Sequence, residues 1–174
     1  VRASPVHGMD HVGFTVPDID QATSFFEKAF DAELIYESKK MSDAPDEGAE
    51  TEQTLNLSPG TKVRAVRMLR LRNGPGVELF QMEGPEQRNP IRPSDYGLQH
   101  FAIYVDDIDA AVVQFEVAGG TLFSRPQAIM FEPEKGKGNL FCYGKTPWGS
   151  VVEILTYPSP MPYEKNTPLR RWRP

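Results

Sequence analysis

Near its start the chain alternates: Val12, Phe14 and Val16 are apolar, while His11, Gly13 and Thr15 between them are not. A period of two is the pattern of a strand with one packed face. Asp18 follows, a residue type that caps helices by accepting from free backbone N–H groups. Ile19, Ala22, Phe26, Ala29 and Phe30 then fall at helical spacing, which predicts one apolar stripe along a helix. Eighty-nine residues further on the same order returns. Phe101, Ile103 and Val105 alternate with His100, Ala102 and Tyr104, and Asp107 offers the cap. Ile108, Ala111, Val112, Phe115 and Ala118 form the second stripe. Gly119-Gly120 is expected to stop this helix, because glycine enters a left-handed C-terminal cap without a side-chain clash.

Laying residues 11–29 on 100–118 gives nine identities in nineteen positions, where chance gives about one. The chain is a duplicated unit. Short strands are predicted after each helix: 32–39, 62–72 and 76–83 in the first copy, with Gly74-Pro75-Gly76 as a turn. In the second copy they fall at 121–124, 139–145 and 149–157, with TPWG (146–149) as the last turn. The final strands match at a shift of 75, which pairs Val77 with Val152, Glu78 with Glu153 and Leu79 with Ile154. Fourteen extra residues in the first copy account for the changed shift. They are placed in MSDAPDEGAETEQTLNLSPG, at about 41–60, an acidic stretch without periodicity. A loop of that length is a lid, a partner contact or a disordered connection. The expected organisation is α+β, with two tandem βαβββ modules at 8–84 and 97–158 and a C-terminal arm at 159–174. Residues 158–174 contain five prolines and are expected to lack regular structure. Tyr163 and Trp172 among basic residues predict that the arm packs across its own body or a partner subunit.

Composition narrows the function classes. A net charge of -5 gives no basic footprint for nucleic acid. Apolar runs are far shorter than the roughly 20 residues that span a bilayer, so no membrane association is expected. The opening VRASPVHGMD lacks the apolar core of a signal peptide, and a cytoplasmic protein is expected. Cys142 is the single cysteine, which excludes an internal disulfide and a thiolate-rich metal site.

Each copy supplies one histidine on its first strand and one glutamate on its last. The four residues are His11, Glu78, His100 and Glu153. Independent core polar residues are the plain alternative. However, an ionised glutamate inside a strand as apolar as GSVVEILTY is costly unless paired or coordinated. Two glutamates and two histidines at matching repeat positions point instead to one divalent metal ion. The set would suit Zn, Ni, Co, Mn or Fe(II) and does not choose among them.

With the VPDID and VDDID phrases, the helix-ending GG and YGKTPWGSVVEI, the chain from about 8 to 158 resembles the vicinal oxygen chelate superfamily. That superfamily includes glyoxalase I, methylmalonyl-CoA epimerase, extradiol dioxygenases, fosfomycin-resistance enzymes and bleomycin-binding proteins. The resemblance implies two modules forming a cup-shaped mixed sheet, with a metal at its base bound by positions matching His11, Glu78, His100 and Glu153. It implies proton transfer next to a carbonyl, of glyoxalase or epimerase type, with Glu153 and Glu78 as catalytic carboxylates. It also implies a homodimer acting on a small molecule. Glyoxalase I carries a Thr- and Asn-bearing stretch after its first-module glutamate, whereas this chain reads ELFQMEGPEQRNP. The substrate therefore stays open.

Two other classes remain. An extradiol-type Fe(II) dioxygenase would use Tyr143, ten residues before Glu153, beside a bound catechol, although dioxygenases typically lack an acidic ligand matching Glu78. A metal-free binding or resistance protein would hold a ligand without chemistry, but such members generally lose the ligand set. Tyr143, Tyr104, Phe80 and Arg67 are the expected pocket residues, with Met82 and Trp148 equally suited to the core. Arg67 is chosen from Arg64, Arg67, Arg70 and Arg72 as the cation that could hold a substrate carboxylate. The alternative for all four is a place over the sheet edge with their charges in water. His7 is expected to be tail.

Overall fold

The computed structural model describes residues 5–174, so the first four residues of the N-terminal tail lie outside the described residues. Contacts divide the chain into two compact units. The first holds the residues up to Glu27 together with Asp31–Gln87, and the second holds Lys28–Phe30 with Arg88–Pro174.

In the first unit the strands β1 (His11–Val16), β2 (Glu33–Lys39), β3 (Lys62–Arg70) and β4 (Gly76–Glu83) form one sheet in the order β1-β4-β3-β2. β1 runs parallel to β4 and the other pairs are antiparallel, so the sheet is mixed. The alternation read in β1 is realised, with Phe14 and Val16 buried and His11, Gly13 and Thr15 on the other face. Phe14 meets Phe26 of helix α1 (Ile19–Phe30), their ring centroids 5.7 Å apart. Phe26 is fully buried, and hiding a side chain of that size stabilises by roughly 1.5–3 kcal/mol. Asp18 accepts from the Gln21 N–H at 2.9 Å, the cap its position predicted. Gln81 Oε1 accepts from the Ile19 N–H at 2.9 Å and ties the same helix end to β4.

The acidic stretch at 41–60 is not all loop. It contains a short helix, α2 (Ala49–Leu55), none of whose residues is buried. AETEQTL has no apolar stripe, so periodicity could not reveal it. Local terms hold it instead: Glu50 and Glu52 sit in its first turn, where the helix dipole favours acids. Glu52 also accepts from the Gly60 N–H at 2.7 Å.

The second unit repeats the plan. β5 (Phe101–Tyr104), β6 (Thr121–Leu122), β8 (Leu140–Lys145) and β9 (Val151–Thr156) run in the order β5-β9-β8-β6, and a two-residue strand, β7 (Gln127–Ala128), also pairs β8. β5 is parallel to β9 and the rest are antiparallel. Helix α3 (Ile108–Val117) starts at Asp107, which accepts from the Ala110 N–H at 3.0 Å. Gly119 follows its end at φ +106°, the left-handed conformation expected there. Phe115 is fully buried, and Gly120 is needed because a Cβ there would lie 2.4 Å from its ring. Phe30 belongs to this unit by contact, with its ring 5.9 Å from Phe115 and 6.4 Å from Phe101.

Cys142, on β8, is fully buried beneath α3's sheet. Burial, reinforced by the charge of Glu153, pushes its thiol up to about 11. At pH 8 only about one thiol in a thousand would be ionised. Iodoacetamide is expected to leave the folded protein unlabelled for hours and to label it promptly in urea. Fast native labelling, read by mass spectrometry, would contradict that burial.

The arm is also more regular than its prolines predicted. Pro162–Lys165 form a 3-10 turn, with proline at a first-turn position that needs no N–H donor. Met161 and Tyr163 then pack on Leu155 and Tyr157. Among the described residues no helix is long and apolar enough to cross a membrane.

Candidate functional site: two matching histidine–glutamate pairs

Within each module the helix takes one face of the sheet and leaves the other to polar groups. In β4, Val77 and Leu79 are buried on the α1 side, which puts Glu78, Phe80 and Met82 on the opposite face. In β9, Val152 and Ile154 are buried, which puts Glu153 and Leu155 opposite. The duplication therefore delivers one glutamate per module to the helix-free face.

Each glutamate meets its own module's histidine. His11 Nε2 lies 3.2 Å from Glu78 Oε2, and His100 Nε2 lies 3.2 Å from Glu153 Oε2. The register explains the meeting. Gly13 stands opposite Glu78 and Ala102 stands opposite Glu153, so a small residue next to each carboxylate leaves room for the histidine two positions earlier. A Cβ at Gly13 would have nothing within 4 Å, which shows how open that face is. Gly76 is different: a Cβ there would crowd His11 Cβ at 3.3 Å and Met68 Sδ at 3.1 Å.

The second ring nitrogen is engaged in both modules. His11 Nδ1 is 2.7 Å from Asp10 Oδ2, and His100 Nδ1 is 2.8 Å from Gln99 Oε1. An oxygen partner on Nδ1 orients each ring so that Nε2 is turned toward the glutamate. The hydrogen bond that Asp10 accepts raises the His11 pKa above its usual value; partial burial opposes it and the Glu78 charge adds to it. Asp10 and Gln99 were not predicted from sequence. Their signal was an acceptor directly before each histidine, which an identity count passes over because the two residues differ.

Across the last strand, Glu78 faces Met68 of β3, while Glu153 faces Tyr143 of β8. The Tyr143 ring stands edge-on to His100, with centroids 5.2 Å apart. Burial raises the Tyr143 pKa, and the neighbouring Glu153 charge raises it further, so its phenol stays protonated.

The expected pocket residues separate. Tyr143 adjoins the second pair, and Phe80 lies on the Glu78 face, two residues along β4. Tyr104 is opposite Leu155, two residues beyond Glu153, where it stacks on Tyr157 at 4.7 Å and lies under Arg173. The arm covers part of its ring, which stays partly exposed. Arg67 is on the wrong face. It pairs with Leu79, points toward α1, and donates to Thr23 Oγ1 at 3.0 Å and to the Ile19 carbonyl at 3.3 Å. It also forms ion pairs with Asp20 at 2.7 Å and Glu37 at 3.0 Å. The strand's arginines were read as cations over a sheet edge or in the pocket; Arg67 is neither, because the bulge between Val63 and Ala65 sets its side. Arg70 pairs with Glu33 at the exposed strand end. Trp148 is in the core, its Nε1–H donating to Ser150 Oγ at 2.8 Å. An Arg67→Met variant is expected to lose about 1.5–3 kcal/mol of stability in urea, since a mostly buried charged donor is removed, with no change in substrate KM. A raised KM at full stability would return Arg67 to the pocket.

The donor chemistry fits a divalent metal. Each module presents one imidazole nitrogen and one carboxylate oxygen, and each imidazole is oriented by an oxygen on its far nitrogen, the arrangement that metal-bound histidines usually show. A single pair supplies two donors. Among the described residues, no group of three or more His, Cys, Asp or Glu side chains forms a ready-made metal site.

Comparison with known proteins agrees with this plan. A family model described as the Glyoxalase/Bleomycin resistance protein/Dioxygenase superfamily matches residues 10–143. A 2-epi-5-epi-valiolone epimerase from Actinomyces sp. is 36% identical over 166 residues, covering 94% of this chain and 87% of the relative. A glyoxalase family protein from Bacillus cereus shares the fold with a TM-score of 0.66 and 21% identity, over 90% of this chain and 97% of that one. Glyoxalase I from Zea mays, solved as a mutant, gives a TM-score of 0.57 and 17% identity, over 84% of this chain and 44% of that one. The likeness extends through both modules, and this chain belongs to the Glyoxalase/Bleomycin resistance protein/Dioxygenase superfamily.

Proposed function

We propose that this chain is a divalent-metal-dependent epimerase that moves a proton at a carbon next to a carbonyl of a small hydroxylated ketone. The observation that carries the reading is the duplicated pair, His11 with Glu78 and His100 with Glu153, each histidine held by its own Nδ1 acceptor. A relative at 36% identity that is named as an epimerase supports the reaction class. A divalent ion held by the four residues would polarise the carbonyl and ease loss of the neighbouring proton.

The chain's own groups supply the rest. Epimerisation removes a proton from one side of a carbon and returns one to the other. That requires two acid–base groups, and the duplication provides two glutamates in equivalent positions. Glu153 takes the proton from one epimer and Glu78 delivers one to the opposite side; the roles reverse in the other direction. Tyr143, neutral and directly across the strand pair from Glu153, flanks that carboxylate. His11 and His100 keep Nε2 available because Asp10 and Gln99 hold Nδ1.

Proton NMR in deuterium oxide tests the reading, using 2-epi-5-epi-valiolone first and then a panel of hydroxyketones and acyl thioesters. The expected result is solvent deuterium entering at one carbon next to the carbonyl, with inversion there. No exchange on any panel member by metal-replete protein would remove the proposal. A second reading draws on Tyr143 standing edge-on to His100 beside Glu153: an Fe(II) ring-cleaving dioxygenase. Oxygen uptake with catechols, retained in Glu78→Gln, would favour it over the epimerase.

A further inference from the structure

The arm is the one strongly basic part of an acidic chain. Residues 165–174, KNTPLRRWRP, contain four basic residues and no acidic one, against a net charge of -5 overall. The arm folds back on the end of β9 and forms one side of a partly open cavity of about 320 Å³, lined by Tyr157, Tyr163, Glu164, Arg170, Arg171 and Arg173 together with the proline-rich turn at 158–161.

Three guanidinium groups thus meet one lining carboxylate. Arg171 and Arg173 both lie over the Tyr157 ring, at 5.1 and 4.8 Å from its centroid, so their centres are within about 10 Å of each other, inside the distance over which salt screens charge. Their ion pairs do not cancel this. Arg170 Nε is 3.6 Å from Glu164 Oε2 and Arg171 Nη1 is 3.4 Å from Glu134 Oε1, both longer than a close charge-assisted hydrogen bond. Among the described residues no carboxylate pairs with Arg173, which donates to the Tyr157 carbonyl. Stacking on tyrosine explains why the arm docks. It does not explain why three arginines line one partly open cavity.

We propose that this cavity is a binding site for a small phosphate-bearing molecule. Three guanidinium groups against Glu164 in the lining and Glu134 at Arg171 leave the cavity net positive, which suits an anion with several oxygens. Guanidinium forks also fit phosphate oxygens in pairs. Tyr157 and Tyr163 give the carrier of the phosphate an aromatic wall. The proposal does not rest on the function of the two histidine–glutamate pairs.

The two tryptophans provide the test. Trp172 lies in the arm, where its carbonyl accepts from the Tyr157 hydroxyl at 3.4 Å, while Trp148 is buried against Ser150. Inorganic phosphate and glycerol phosphate are titrated into the full chain at constant ionic strength, and the two indole N–H signals are followed by nitrogen-edited NMR. The Trp172 signal is expected to move saturably and the Trp148 signal to stay. Arg173→Gln is expected to weaken the apparent affinity at least tenfold. Should that variant undock the arm, seen as a moved Trp172 signal before any phosphate is added, Arg170→Gln carries the test, because it keeps both stacks on Tyr157; it too should weaken affinity severalfold. A shift that chloride reproduces, or an Arg170→Gln protein that titrates like the native one, overturns the proposal. Sedimentation with phosphatidic acid vesicles separates a lipid headgroup from a free phosphate. Protein left in the supernatant supports a small-molecule site, and vesicle binding that free phosphate cannot displace overturns it.

Discussion

Glu153→Gln is expected to lower turnover by about 10²–10⁴-fold, the range that a positioned acid–base group usually supplies. The loss should be one-sided. If Glu153 serves one epimer and Glu78 the other, Glu153→Gln silences deuterium exchange on one epimer only. The other epimer still exchanges through Glu78 but is no longer inverted. Glu78→Gln should show the mirror image. This split cannot come from general damage, which would reduce exchange from both epimers alike. It also distinguishes two-base epimerisation from a single glutamate acting on both sides, for which one variant would be silent toward both epimers and the other nearly normal. Neither substitution should disturb the fold, since Glu78 and Glu153 are both partly exposed and sit on the face that the helices leave open.

The second large effect concerns the histidines. His11→Ala and His100→Ala are each expected to abolish nearly all metal retention and turnover, and the double variant is expected to be no worse than either single one. Groups that act as a unit are strongly non-additive, because the first removal already destroys what the second would weaken. Independent polar residues in two separate sheets would behave otherwise: their effects would add, and each would be small. Titration calorimetry with a divalent metal on the three variants decides between these outcomes. Asp10→Ala is a milder probe. Freeing Nδ1 of His11 should weaken metal binding about 10–100-fold, the usual cost of losing such an orienting partner, while leaving the unfolding midpoint close to native.

Much of this was readable from the chain because duplication writes each feature twice. The alternation in β1, the Asp18 and Asp107 caps and the stripes of α1 and α3 all rest on local periodicity and cap chemistry, and all appear where they were expected. The pairing of His11 with Glu78, sixty-seven positions apart, followed from the repeat and from the cost of an isolated carboxylate in an apolar strand. What sequence did not reveal was set by terms without a period. Helix α2 buries nothing, so no stripe marks it. Four arginines along β3 gave no period by which to choose a face, and Arg67 pairs with Leu79 on the α1 side, after a bulge between Val63 and Ala65 that interrupts the alternation. Tyr104 sits on the expected face but under an arm whose docking depends on Arg171 and Arg173 reaching Tyr157, a tertiary contact. Asp10 and Gln99 were hidden by being chemically alike but not identical.

The central claim is that two half-sets of ligands act as one. Elemental analysis of the purified chain, after exhaustive dialysis and with protein measured by amino-acid analysis, tests it most directly. One divalent metal ion per chain is expected, lost in either His11→Ala or His100→Ala. Two ions per chain, each lost with its own histidine, or no ion under any metal supplied, would contradict it.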